Sequence, residues 1–271
     1  MAASHGNGSI WSTSCAALSE GVSEPPREYR SRLYGRRRGR PLRQGRQRTT
    51  QALLPQLAIA LPKHGPLDPF SLFSARPEAV WLEIGFGGGE HLAEQAACHP
   101  ETGFIGCEVF ENGVARLVGE VAQRELANVR VFTDDARLLL DALPPASVGR
   151  AFILFPDPWP KARHHKRRLV ARPSLDRLAE VMQDRAELRL ATDDPGYLAW
   201  TLEQTIGHPD FAWLAQRPCD WRERPIDWPP TRYEEKALAA GRRPAFLRFI
   251  RQPRPGTGTG TLSLPRFALQ D

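Results

Sequence analysis

The stretch AVWLEIGFGGGEHLAEQAA, residues 79–97, runs an apolar strand-like segment through a cluster of glycines straight into a helical pattern. Few architectures accept such a sequence. An apolar run without polar alternation is a strand buried on both faces, and a tight turn from strand to helix begins a right-handed crossover. The unit then recurs. GFIGCEVF precedes ENGVARLVGEVAQREL, and NVRVF precedes ARLLLDAL. RAFILF meets a proline-rich loop before a helix around Ser174 to Met182, and AELRLAT leads into GYLAWTLEQTI. FAWLAQ and AFLRFI supply the sixth and seventh strands, separated by a loop rich in Trp and Pro. Strands alternating with helices at this interval predict an α/β fold, a doubly wound and mostly parallel sheet with helices on both faces. Ligands of such sheets bind beyond the carboxyl ends of the strands. The residues just past each strand are therefore where chemistry is expected.

The chain has 271 residues, enough for one substantial core. Residues 1–26 are small and polar and read as a disordered tail, and residues 27–52 as an arginine-rich arm. Residues 53–251 hold the catalytic domain, and residues 252–271 read as a flexible tail. The formal net charge of +6 is concentrated between Arg27 and Arg48 and between Arg163 and Arg172. Clustered positive charge favours a polyanionic partner, nucleic acid before membrane surface. Gly35, Gly39, Pro41 and Gly45 argue against one long helix through the arm. The four cysteines form no CxxC pair and no grouping with histidine, which fits a reducing cytoplasm and implies no metal. No apolar run is long enough to span a membrane, and no obligate protein partner is predicted.

At the end of the first strand stand Glu83 and the glycines Gly85, Gly87 and Gly89, spaced GxGxG. A dinucleotide fingerprint would need glycine where this chain has Glu90, and a carboxylate there repels a pyrophosphate. Two acids beside a glycine turn suit a ligand with no phosphate and a cationic end, such as S-adenosylmethionine. Glu108 ends the second strand about twenty residues on, where a carboxylate accepts ribose hydroxyls. Asp134 and Asp135 end the third, within reach of an adenine amino group. Each acid alone also reads as a helix cap or solvated loop residue.

The fourth strand delivers FPDPWPKARHHKRR, Phe155 to Arg168: one carboxylate, one indole and a row of cations on a proline-stiffened loop. Here the sequence resembles the tRNA (guanine-N7)-methyltransferases, through this block, LEIGFGGGEH, ATDD, TRYEEKAL and the arginine-rich arm. The resemblance implies a Rossmann-like class I methyltransferase fold with a seven-stranded sheet, S-adenosylmethionine as methyl donor, and 7-methylguanosine in the variable loop of tRNA as product. It assigns Glu83, Gly85, Gly87, Glu108 and Asp135 to the cofactor and Asp157 to the reaction centre. Lys161, Asp193, Thr231, Arg232, Tyr233 and Glu234 go to substrate, and Arg163, His164, His165, Lys166, Arg167 and Arg168 to RNA contact. Arg232 and Tyr233 stand where the family often carries lysine and phenylalanine.

Those roles suit the chemistry. Guanine N7 has a lone pair and no proton to lose, so methylation needs in-line positioning rather than a strong base. Asp157 either stabilises the positive charge that develops on the purine or accepts from its N1–H or amino group. Trp159 either stacks on an unstacked base or packs under the loop. The cations from Lys161 to Arg168 suit phosphates. Asp193 or Asp194, after the fifth strand, either faces the same cleft or caps the helix that follows, and Thr231 with Glu234 reads as a capping box, a role compatible with one toward substrate. Two rivals are a related methyltransferase with another RNA or a protein as acceptor, and an RNA-binding module with a vestigial pocket.

Overall fold

The computed structural model describes residues 36–255. The tail expected over residues 1–26, the arm up to residue 35, Cys15, and residues 256–271 lie outside the described residues. Among those described, Cys98, Cys107 and Cys219 are free thiols, and no helix is long and apolar enough to cross a membrane.

After helix α1 (Gln44–Leu57), strands and helices alternate: β1 (Ala79–Ile84), α2 (Glu90–Cys98), β2 (Thr102–Cys107), α3 (Glu111–Arg124), β3 (Val129–Phe132), α4 (Ala136–Ala142) and β4 (Val148–Leu154). Then follow α5 (Arg172–Val181), β5 (Met182–Thr192), α6 (Pro195–Ile206), β6 (Phe211–Trp213), α7 (Cys219–Arg222), α8 (Arg232–Ala239) and β7 (Ala245–Arg251). Within the described residues the seven strands form one sheet in the order β3-β2-β1-β4-β5-β7-β6. β1 to β5 run parallel, while β7 lies antiparallel between β5 and β6.

Side-chain alternation divides the core between the two faces of the sheet. Val80, Leu82, Ile153, Leu188 and Leu247 join Leu139 of α4, Leu175 of α5 and Tyr197 of α6 in one cluster. On the other face Phe104, Val129 and Val131 pack with Leu92 of α2, Leu117 and Val121 of α3 and Leu57 of α1. Phe152, Leu154, Ala191, Trp228 and Phe246 form a third cluster. Glu83 falls between Leu82 and Ile84, so it points to the face opposite theirs, the α2 side.

Two boundaries differ from expectation. β5 begins at Met182 rather than at Ala186, directly after α5. The division at residues 52/53 cuts through α1, which starts inside the arginine-rich segment despite Gly45 and carries Pro55 near its end. The arm is tied to the domain before that helix begins. Glu111 N–H donates to the Arg37 carbonyl at 2.9 Å, and Gly39 N–H donates to Asn112 Oδ1 at 2.8 Å. Asn112 Nδ2 donates to the Arg40 carbonyl at 2.7 Å, Arg38 pairs with Glu111 at 2.9 Å, and Arg37 pairs with Asp134 at 3.3 Å.

The close approach of α3 to the glycine turn leaves no room for a side chain. A Cβ on Gly113 would lie 2.1 Å from the Gly87 carbonyl oxygen. Gly113→Ala should therefore cost about 1–3 kcal/mol of stability, the usual range for overpacking. Urea denaturation measures it, and an unchanged midpoint would contradict the packing described.

Candidate cofactor pocket and active-site loop

Order reverses between β1 and β4, and the pocket opens at that switch point. Its lining includes Glu83, Gly85, His91, Phe155, Thr231 and Tyr233. Gly85, Gly87 and Gly89 all have positive φ. At Gly87 the turn also meets a neighbour, because a Cβ there would sit 2.8 Å from the Tyr233 ring. Gly87 N–H donates to Glu108 Oε2 at 2.8 Å, and Val109 and Phe110 N–H donate to Oε1 at 2.8 and 2.9 Å. A carboxylate offers about four acceptor sites, so these three bonds leave Glu108 about one more rather than the two a pair of ribose hydroxyls would fill. Burial lifts the Glu108 pKa above its ordinary value, the three amides oppose that rise, and the charge of Asp157 adds to it.

Glu83 is 5% exposed, and its Oε2 lies 2.7 Å from Nδ1 of His91, itself 2% exposed. Sequence reasoning missed His91. The signal was there, a titratable residue in the first turn of α2 beside a strand-end acid. Glu90 is held by Arg116 at 3.1 Å. At the third strand end Asp135 caps α4 by accepting from Arg137 N–H at 3.0 Å, and its Oδ2 accepts from the Arg137 guanidinium at 2.7 Å. Asp135 is thus both the cap and one half of an ion pair.

The loop after β4 has two non-glycine residues in the left-handed region, Phe155 (φ 51°) and Trp159 (φ 43°), on either side of Asp157. Such conformations cost about 1–3 kcal/mol each and persist where the surroundings impose them. Arg168 supplies one constraint. Only 7% exposed, it donates through Nε to the Pro158 carbonyl at 3.0 Å and through Nη2 to the Trp159 carbonyl at 3.4 Å. Its guanidinium sits 4.9 Å from the Trp200 ring centroid and 5.4 Å from that of Tyr197. Burial pushes the Tyr197 phenol up to about 12. Arg168, expected among the RNA contacts, is buried and braces the loop from within.

The other cations divide by exposure. Lys161, Arg163 and Lys166 are exposed, as is Asp157, whereas His164, His165 and Arg167 are half-buried. Arg167 lies over the Trp159 ring at 4.8 Å, with His164 edge-on at 5.8 Å, and His165 is 5.5 Å from Trp200. Desolvation first, then Arg167, Arg163, Lys161 and Lys166, holds the His164 pKa below the usual imidazole value.

On the far side of the cleft Asp193 pairs with Arg242 at 2.6 Å, while Asp194 is the residue that caps α6. Thr231 caps α8, accepting from Glu234 N–H at 3.2 Å. The Glu234 carboxylate goes to Arg224 at 3.0 Å instead of completing the capping box. Arg232 is exposed, its guanidinium 5.9 Å from the Tyr233 ring. The segment leading to α8 is anchored by Asp227, which pairs with the buried Arg189 at 2.6 Å and accepts from Gln95 through its carbonyl at 2.9 Å. Arg224, Arg242 and the Arg189–Asp227 pair were not anticipated. An arginine inside the apolar run of β5 was the available signal for the last.

The strand order with its antiparallel β7, the glycine turn at the switch point and the acids at three successive strand ends define a class I, Rossmann-like methyltransferase dependent on S-adenosylmethionine. Comparison with known proteins narrows this. A family model described as "Putative methyltransferase" matches residues 77–247. The tRNA (guanine-N(7)-)-methyltransferase of Rhodospirillum rubrum is 52% identical over 233 residues, covering 84% of this chain and 91% of that protein. The tRNA (guanine-N(7)-)-methyltransferase of Paramagnetospirillum magneticum is 48% identical over 227 residues, covering 83% and 94%. The chain belongs to the tRNA (guanine-N(7)-)-methyltransferase family.

Arg168→Ala should lower stability by about 2–3 kcal/mol, because two carbonyls and a cavity between aromatic rings lose their partner. Arg163→Ala, on the exposed side, should stay within about 0.5 kcal/mol of the parent. Thermal denaturation of the two variants side by side checks the contrast; equal effects would remove the brace from the description.

Proposed function

We propose that this protein transfers the methyl group of S-adenosylmethionine to N7 of a variable-loop guanosine in tRNA, forming 7-methylguanosine in the cytoplasm. The observation that carries the reading is the shared lining of one pocket, where Glu83 and Gly85 at the end of β1 meet Phe155 of the Asp157 loop and Thr231 and Tyr233 of α8 and its cap. The strand-end acid and glycine turn assigned to the methyl donor thus border the same pocket as the loop assigned to the acceptor base.

In this assignment Glu83 receives the ammonium group of the cofactor, and Gly85 and Gly87 let it approach the backbone. Glu108 accepts from the ribose and Asp135 from the adenine edge. Once bound, S-adenosylmethionine supplies a sulfonium methyl. The protein has no proton to remove from guanine N7, so its work is alignment and charge stabilisation. Asp157 faces the purine as it becomes cationic, on a loop held by Arg168 and by the ladder bond from Phe155 N–H to the Ala191 carbonyl. Lys161, Thr231, Arg232 and Tyr233 border the acceptor, with Asp193 and Glu234 steadied by Arg242 and Arg224. Arg163, Lys166 and the half-buried His164, His165 and Arg167 follow the phosphates.

The test is methyl transfer from labelled S-adenosylmethionine to unmodified tRNA, followed by digestion to nucleosides. Label is expected in 7-methylguanosine; label elsewhere or none would refute the assignment. Asp157→Ala should lower the single-turnover rate by about 100-fold or more, with the cofactor Kd within about threefold of the parent. A rate near that of the parent would release Asp157 from the reaction centre. Replacing Arg163 and Lys166 by alanine should reduce the slope of log K for tRNA against log salt, by about one for each phosphate that the variant no longer neutralises. An unchanged slope would mean that these cations do not meet phosphates.

A further inference from the structure

We infer that His91 is a positioning residue for the methyl donor, acting through Glu83; the inference rests on the reading of this pocket as the S-adenosylmethionine site. Glu83 and His91 are eight residues apart, on opposite sides of the glycine turn, and both are almost wholly buried in the pocket wall. Their contact, Oε2 to Nδ1 at 2.7 Å, has the length of a charge-assisted hydrogen bond. A carboxylate only accepts, so Nδ1 carries the proton. At the other end of the ring, Nε2 is buried and has no hydrogen-bond partner among the described residues.

That unpartnered nitrogen decides which form of the imidazole fits. An N–H at Nε2 would face no acceptor, and burying an unsatisfied donor is costly. The ring packs 4.8 Å from Phe152 and 6.4 Å from Trp228, and the Arg189 guanidinium already lies over those same two rings at 5.8 and 5.4 Å. The form that fits is the Nδ1–H tautomer with a bare Nε2, a donor that carries no charge. It fixes one Glu83 oxygen without neutralising the carboxylate, so the other oxygen keeps a full attraction for an ammonium group. Lysine or arginine at the same place would cancel that attraction; leucine would leave the carboxylate unoriented.

Two ligands separate this role from a purely structural one. S-adenosylhomocysteine carries the amino-acid ammonium, and 5′-methylthioadenosine has the same nucleoside without it. Calorimetry on the full chain should show His91→Leu weakening S-adenosylhomocysteine by about tenfold or more while leaving 5′-methylthioadenosine within about twofold. His91→Asn, whose amide N–H falls near the position of Nδ1, should restore S-adenosylhomocysteine to within about threefold of the parent. Equal weakening of both ligands by His91→Leu would reduce His91 to a packing residue and overturn the inference, as would affinities unchanged for both or no recovery in His91→Asn. If the parent protein itself binds neither ligand, the cofactor reading of the pocket fails first, a result distinct from any of these.

Discussion

On one side of β1 the chain winds outward through β2 and β3; on the other it leaves through β4 and β5. The crossovers depart in opposite directions, so no connection closes over the carboxyl ends of β1 and β4, which pair directly. A parallel sheet that reverses its winding must leave this crevice. The remaining features of the site answer to it. The glycine turn lines its floor, and the stretch leading into α8 folds back over it, bringing Tyr233 against Gly87. The Asp157 loop rises from the end of β4 on its rim.

Holding functional loops over an open crevice requires anchors that do not fill it, and arginine supplies them. Arg168 braces the Asp157 loop from beneath, Arg224 fixes Glu234, Arg242 fixes Asp193, and Arg189 ties down Asp227. A guanidinium suits such work because its planar fork spans several acceptors while its faces lie against aromatic rings. The positive charge of the chain therefore serves two purposes. Exposed cations such as Arg163 and Lys166 keep the surface positive, and inward ones set the geometry of the site.

That division explains what the sequence could and could not reveal. The alternation of apolar runs with helical patterns made the strands, their order along the chain and the strand-end acids readable. The arginine run from Arg163 to Arg168 carried no sign of which member turns inward, because the answer depends on Tyr197 and Trp200, about thirty residues later. α1 was hidden by Gly45 and Pro55, residues that a pattern reading penalises inside a helix. The Glu83–His91 contact crosses a turn whose shape depends on three glycines with positive φ. AFLRFI reads the same whether parallel or antiparallel, so the insertion of β7 between β5 and β6 left no local trace.

That insertion has a bearing on biosynthesis. β7 follows every other described strand in the sequence yet occupies an interior place, and among the described strands β6 pairs with β7 alone. Until β7 has emerged from the ribosome, β5 presents a bare hydrogen-bonding edge and β6 has no sheet to join. The strands that hold the glycine turn all precede β7, whereas the edge of the sheet beyond β5 is complete only once residues 245–251 take their place. Completion of the sheet thereby waits for its last described strand, and chains that stop before β7 carry the glycine-turn half without a finished far edge.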